Sequence, residues 1–276
     1  MIRRILTPLD NSEYTKTAIA FTCQIAKKFN SEVAGMVVLD AQDIDDSVGP
    51  IAPGGLELAE KLERKKEIET EKHIKHLLQN LSEKCSEVGV KHIEEEFQGS
   101  PSERIIEESK FYDLVVMGLR TFYYYGTKDE TEKTLDEILN HTITPVLAVP
   151  KKYRELKNVL IVCDGELPSV RAMQRFSHMI IDENIKITLL HENNDEKKAQ
   201  YNLDNAEKYL RTYGVKSIEK VWVEKKLLNE IYDRFFDETD LIVIGLHSHK
   251  SLKEFLLGDV AHSLILDGRR ALFLAQ

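Results

Sequence analysis

The chain repeats itself, and that restricts it to folds assembled from two copies of one unit. Arg3-Arg4-Ile5-Leu6-Thr7-Pro8-Leu9-Asp10 returns 154 positions later as Lys157-Asn158-Val159-Leu160-Ile161-Val162-Cys163-Asp164. The same offset carries Ala18 onto Ala172 and Val33 onto Ile187. Further along, Tyr112-Asp113-Leu114-Val115-Val116-Met117-Gly118-Leu119 matches Thr239-Asp240-Leu241-Ile242-Val243-Ile244-Gly245-Leu246 at an offset of 127, so the second copy lacks 27 residues. They fall largely within 41–70, around the turn-rich Val48-Gly49-Pro50-Ile51-Ala52-Pro53-Gly54-Gly55. A unit this long, followed by a short polar link at 151–155, reads as a duplicated domain and not as a solenoid array. We expect one domain over residues 1–150, with its insertion at about 41–70, and a second over 156–276.

At 276 residues the chain can bury two cores of ordinary size. A formal charge of −9 and a pI near 5.6, without a long basic run, argue against nucleic acid as a partner. There is no signal-peptide pattern and no apolar run of roughly 18 residues, so a cytoplasmic location and no membrane association are expected. Cys23, Cys85 and Cys163 are odd in number and widely separated, which suits reduced core thiols better than a disulfide frame or a zinc knuckle.

Short continuous apolar runs at Ile5-Leu6, 33–39, 114–117 and 146–149 suit strands buried on both faces. Between them, apolar residues at steps of three and four predict a helix over 12–29, capped by Asn11 or Ser12 with Glu13 in its first turn. A second helix is marked by Ile74, Leu77, Leu78, Leu81, Cys85 and Val88. Its charged upstream part, 57–72, reads as a solvated extension or a partner surface. A third runs from about 102 to 112, opened by Pro101, with Ile105, Ile106 and Phe111 inward. Residues 91–97 are polar enough for an edge strand. The second copy repeats the scheme at 159–162, 185–190, 220–223, 241–244 and 271–274, with Tyr201, Tyr209 and Tyr213 expected in core packing. The closing strands 146–149 and 272–275 are too apolar to stay unpaired, so each should pair with the other or with a second chain, consistent with a homodimer. The expected class is α/β: two similar doubly wound parallel-sheet domains in tandem.

In such sheets ligands bind beyond the carboxyl ends of the strands, where the strand order reverses. Asp10 and Asp164, the strand ends near Asp40 and at Leu190-His191-Glu192, and the loops after Gly118 and Gly245 should converge there. These pieces resemble the universal stress protein family. They comprise an opening strand ending in Pro-x-Asp, Gly99-Ser100-Pro101, Asp113-Leu114-Val115-Val116-Met117-Gly118 and Thr144-Pro145-Val146-Leu147-Ala148-Val149. The resemblance covers nearly the whole length and implies an adenine-nucleotide alpha-hydrolase-like fold.

Nucleotide-binding members of that family carry Gly, two residues, Gly, nine residues, then Gly followed by Ser or Thr. Such glycines let backbone N–H groups approach phosphate, and a helix N-terminus adds donors. The second copy keeps the spacing as Gly245, Ser248 and Gly258-Asp259, flanked by Ile244 and Val260. Two of its four diagnostic residues differ. A carboxylate about 5 Å from a phosphate charge costs on the order of 1 kcal/mol in water and several at intermediate dielectric. Asp259 is expected to cap its own helix; the opposing alternative has it hold a divalent cation that bridges to phosphate. The first copy is further from the pattern, with Gly118, Thr121 and Glu132-Lys133.

Asp10 and Asp164 either orient a ribose, as the resemblance implies, or cap the helices that follow. The Tyr123-Tyr124-Tyr125 loop is expected to fold over the second domain or a dimer partner, the alternative being a partner-docking or base-stacking loop. Thr134-Leu135-Asp136-Glu137 has capping-box spacing. His247, His249 and His262 lack a supporting cysteine, so no metal site is assigned.

Nothing in the chain demands an enzyme. The resemblance implies a stress-response protein that acts by binding and interaction, with ATP binding weakened or lost. One alternative is an adenine-nucleotide sensor taking ATP or AMP with Mg or Mn, using the second domain's Asp164, Gly245, Ser248 and Gly258, with slow ATP hydrolysis. Another is an adaptor that recruits a protein through the tyrosine loop or the charged helix.

Overall fold

Runs of branched apolar residues without alternation form strands that are covered on both sides. The computed structural model describes residues 2–39, 56–121, 123, 133–180, 184–246 and 258–276. The first half runs β1 (Arg4–Pro8), α1 (Thr15–Phe29), β2 (Glu32–Leu39), α2 (Leu56–Val88), β3 (His92–Gln98), α3 (Pro101–Ser109), β4 (Leu114–Gly118), α4 (Lys133–His141) and β5 (Val146–Val149). The second half runs β6 (Asn158–Val162), α5 (Leu167–Ser177), β7 (Lys186–Glu192), α6 (Glu196–Thr212), β8 (Ser217–Val223) and α7 (Leu227–Glu230), the last continuing as a π-helical turn, Ile231–Phe235. It closes with β9 (Leu241–Gly245), α8 (Asp259–Asp267) and β10 (Ala271–Ala275).

All the strands join one sheet in the order β3-β2-β1-β4-β5-β10-β9-β6-β7-β8. Pairing is parallel within each half and antiparallel where the halves meet, with Leu272 opposite Ala148, Phe273 opposite Leu147 and Leu274 opposite Val146. The closing strands therefore pair with each other. The polar strands β3 and β8 lie at the two edges, as the composition of residues 91–97 predicts.

Because side chains alternate across a strand, each strand feeds two cores. One face packs Ile5, Phe21, Leu81, Ile161, Phe176 and Phe273 under α1, α2, α5 and α6. The other packs Leu6, Met117, Ile138, Leu160, Leu264 and Leu272 under α3, α4 and α8. Both cores continue across the β5–β10 seam. At the amino ends of the strands the two halves repeat one device. Asp113 Oδ2 accepts from the Arg3 and Arg4 N–H groups at 2.7 and 3.0 Å, and Asp240 Oδ2 from those of Lys157 and Asn158 at 3.2 and 2.9 Å. Across the seam, Arg120 Nη2 donates to Leu266 O at the end of α8 (3.1 Å), and Gln276 Nε2 to Leu139 O in α4 (2.5 Å).

Several local expectations are corrected. The first helix starts at Thr15 with Tyr14 at its N-cap, three residues later than its apolar spacing suggests. Ser12 does not cap it, because its hydroxyl donates to Asp10 and accepts from the Tyr14 N–H within the preceding turn. Phe111 lies past the end of α3 and is exposed, and Tyr201 lies on the outer side of α6, away from Leu203, Ala206 and Leu210. Thr134 lies inside α4, so the capping-box reading is not realised there. The 33 residues of α2 make one helix about 50 Å long, and among its side chains of described burial the buried ones run from Thr70 to Cys85.

Phe273 is 1% exposed and meets Phe176 edge-on at 5.7 Å between ring centroids. Phe273→Ala should lower unfolding free energy by about 3–5 kcal/mol in urea titration, since the cavity lies at the seam between strands. A loss below about 1 kcal/mol would show that the seam is loosely packed.

Candidate functional site

The strand order reverses between β1 and β4 in the first half and between β6 and β9 in the second, which places a crevice at the carboxyl end of each pair. In the first, Asp10 is buried and its Oδ1 accepts from the hydroxyls of Ser12 (2.8 Å) and Thr15. In the second, Asp164 Oδ1 accepts from the Ser169 hydroxyl (2.5 Å) and the Glu166 N–H (2.8 Å). The repeat offset carries Thr15 onto Ser169, so both halves join a strand-end carboxylate to a hydroxyl five residues on. This ties down the turn that leads into the next helix, but neither aspartate is a helix cap: the N-cap residues are Tyr14 and Glu166, and no side chain caps either helix. The hydroxyl partners were not anticipated; their signal was the matched Asp-x-x-x-x-Thr/Ser spacing in the two copies.

Gly118 and Gly245 end the central strands β4 and β9. A Cβ on Gly118 would stand 2.6 Å from Tyr14 Cβ and 2.9 Å from Arg120 O. A Cβ on Gly245 would overlap the backbone of Pro168 and Ser169 in the first turn of α5. Helix N-termini press on both residues, so packing against protein atoms is enough to require glycine.

Ile244 is buried in the core below the crevice, and Val260 packs partly against it. Gly258 is the N-cap of α8 at φ −51°, ψ 143°, and among the described residues a Cβ there would meet nothing within 4 Å. Asp259 is the first residue of α8, exposed, and among the described residues its carboxylate accepts no hydrogen bond. The expectation that Asp259 caps its own helix is therefore corrected: a cap needs the side chain on the non-helical residue before it, and that residue is Gly258. The helix N-terminus thus carries an exposed negative charge. Ser248, His247, His249, Tyr124, Tyr125 and Glu132 lie outside the described residues. Tyr123 is 2% exposed among Leu119, Leu135 and Leu139, which makes it a core residue and not a docking or stacking surface.

Two further features lie at these crevices. A groove of about 830 Å³ runs between α1 and α2 above the β1–α1 turn, lined by Asp10, Ser12, Lys16, Ala20, Leu77 and Lys84 among others. In the second half His191, at the carboxyl end of β7, is fully buried with Nε2 3.4 Å from Asn202 Nδ2. Burial pushes its pKa below the ordinary value, because the imidazolium would lose its water. Among the described residues no three His, Cys, Asp or Glu side chains cluster as a metal site, and no helix is long and apolar enough to cross a membrane.

Residues 1–150 match the model of the universal stress protein family. Over 285 aligned positions the chain is 22% identical to a universal stress protein of Synechocystis sp., covering 96% of both chains. It is 30% identical over 162 positions to a universal stress protein of Methanocaldococcus jannaschii, covering 56% of this chain and 86% of the relative. The crystal structure of a universal stress protein from Archaeoglobus fulgidus superposes with a TM-score of 0.70 at 16% identity, covering 99% of this chain and 98% of that one.

Thr15→Val should cost about 1.5–3 kcal/mol, because it leaves the buried Asp10 carboxylate without one of its donors; urea titration reads the loss, and an unchanged midpoint would contradict the role of this bond in holding the turn. His191 gives a pH signature. Its folded pKa is depressed, so the unfolded chain binds the extra proton and stability falls as pH drops below about 6.5, the unperturbed value. His191→Gln should flatten stability against pH in that window, and an unaltered slope would refute the assignment.

Proposed function

We propose, from the premise that this chain belongs to the universal stress protein family, that it acts in the cytoplasm by binding and interaction, with capture of ATP weakened or lost. The observation that carries this reading is Asp259. An exposed carboxylate stands on the first turn of α8, where nucleotide-binding relatives place a hydroxyl beside phosphate. A helix N-terminus attracts anions through its free N–H groups, and a carboxylate in the first turn offsets that attraction. Gly118 and Gly245 agree with this reading, since neighbouring protein backbone accounts for their retention without a ligand. A homodimer would use other surfaces, because the closing strands are paired within one chain.

The groove above Asp10 favours a second reading, adenine-nucleotide sensing, since its volume lies within the range of small-molecule sites. That groove lies in the first half, away from Asp259 in the second, so a nucleotide response that Asp259→Ser leaves unchanged would come from the groove and separates the two readings.

Thermal shift with ATP, ADP and AMP, each with and without Mg²⁺ or Mn²⁺, tests both. A ligand at a hundred times its dissociation constant adds about 2.7 kcal/mol of stability. Millimolar ATP should leave the melting temperature of the natural chain unchanged, and Asp259→Ser should introduce an ATP-dependent rise. Stabilisation of the natural chain by micromolar ATP would overturn the proposal, and a rise with AMP that Asp259→Ser leaves unchanged would establish the second reading.

A further inference from the structure

Helices α1 and α2 lie over the same face of the sheet and share one core, and two of its three thiols meet there. Cys23 on α1 and Cys85 on α2 are 62 positions apart, yet their Sγ atoms are 3.7 Å from each other and share a hydrogen bond. Both are buried free thiols. The fold does not require sulfur there. The repeat offset places Ser177 at the position of Cys23, and its hydroxyl donates back to Met173 O at 2.8 Å within α5.

We propose that Cys23 and Cys85 form a reversible, peroxide-responsive disulfide that staples α2 onto α1. A disulfide brings its sulfurs to about 2.05 Å, so the pair closes with a shift of under about 2 Å, small enough for side-chain rotation and slight helix settling. The groove between the two helices offers an approach. Its lining includes Ala20, one turn before Cys23, and Lys84, which immediately precedes Cys85.

The two sulfurs are not equivalent. Cys23 is 6% exposed and Cys85 is fully buried, so peroxide reaches Cys23 first, and the neighbouring Lys84 ammonium favours a thiolate there. Cys23 is therefore the attacking thiolate and Cys85 the resolving thiol. Cys23 Sγ attacks one oxygen of hydrogen peroxide and the O–O bond breaks. The departing hydroxide takes a proton and leaves as water, and the sulfur is oxidised to a sulfenic acid. Cys85 Sγ then attacks that sulfur. The S–S bond forms, the S–O bond breaks, and the leaving hydroxide takes the Cys85 proton as a second water. Two thiols are oxidised and one peroxide is reduced. Cys163, in the second half, is buried with its thiol pushed up to about 11, and it should stay reduced.

The intact chain is exposed to hydrogen peroxide, alkylated under denaturing conditions, digested without reductant and mapped by mass spectrometry. A peptide pair joined through Cys23 and Cys85 should be found, with titratable thiols falling from three to one. The melting temperature should rise, and dithiothreitol should reverse both changes. Cys163→Ser should keep the link and Cys85→Ser should abolish it; the map of the natural chain decides the matter even where a variant fails to fold. Three thiols persisting after peroxide, Cys23 passing to sulfinic acid unlinked, or a bridge between chains would each overturn the proposal.

Discussion

The antiparallel pairing of β5 with β10 is the interaction on which the rest of the molecule depends. Each half ends in a strand with no polar residue among Val146 to Val149 or Ala271 to Ala275. Left open, such an edge would expose unpaired N–H and C=O groups beside a wholly apolar surface. Pairing the two within one chain removes both edges at once and turns two parallel sheets into one. The outer edges fall to the polar strands β3 and β8, which tolerate water.

Within this one chain, each crevice is built from its own half. Each carries a carboxylate satisfied by its own turn and a glycine required by a neighbouring helix. These devices keep the strand-to-helix turns in place without a ligand's help. The proposed loss of ATP capture adds one residue to this frame, Asp259, whose carboxylate in the first turn of α8 offsets the positive end of the helix.

The strands were legible in the sequence because burial on both faces leaves a continuous apolar run, and the repeat fixed each one twice. Helix faces were legible wherever periodicity reported the core, as from Ile74 to Cys85. Helix ends were not. The start of α1 depends on where Asp10 and Ser12 spend their hydrogen bonds, and propensity alone places Ser12 at the cap. Phe111 and Tyr201 are apolar by type yet face water, since a ring at helical spacing fixes a face only when its neighbours agree. In the site, the aspartates and glycines could be named from motif spacing. Their partners, Thr15, Ser169, Tyr14 and Pro168, follow from how the chain folds back on itself.

The account rests on the two halves behaving as one cooperative sheet closed at its own seam. Hydrogen exchange on the intact chain, resolved amide by amide, tests this most directly. It should find the amides of β5 and β10 among the slowest, opening together with those of β1 and β6 in a single global event. Exchange of β5 and β10 through a lower-energy opening that leaves either half protected would contradict it.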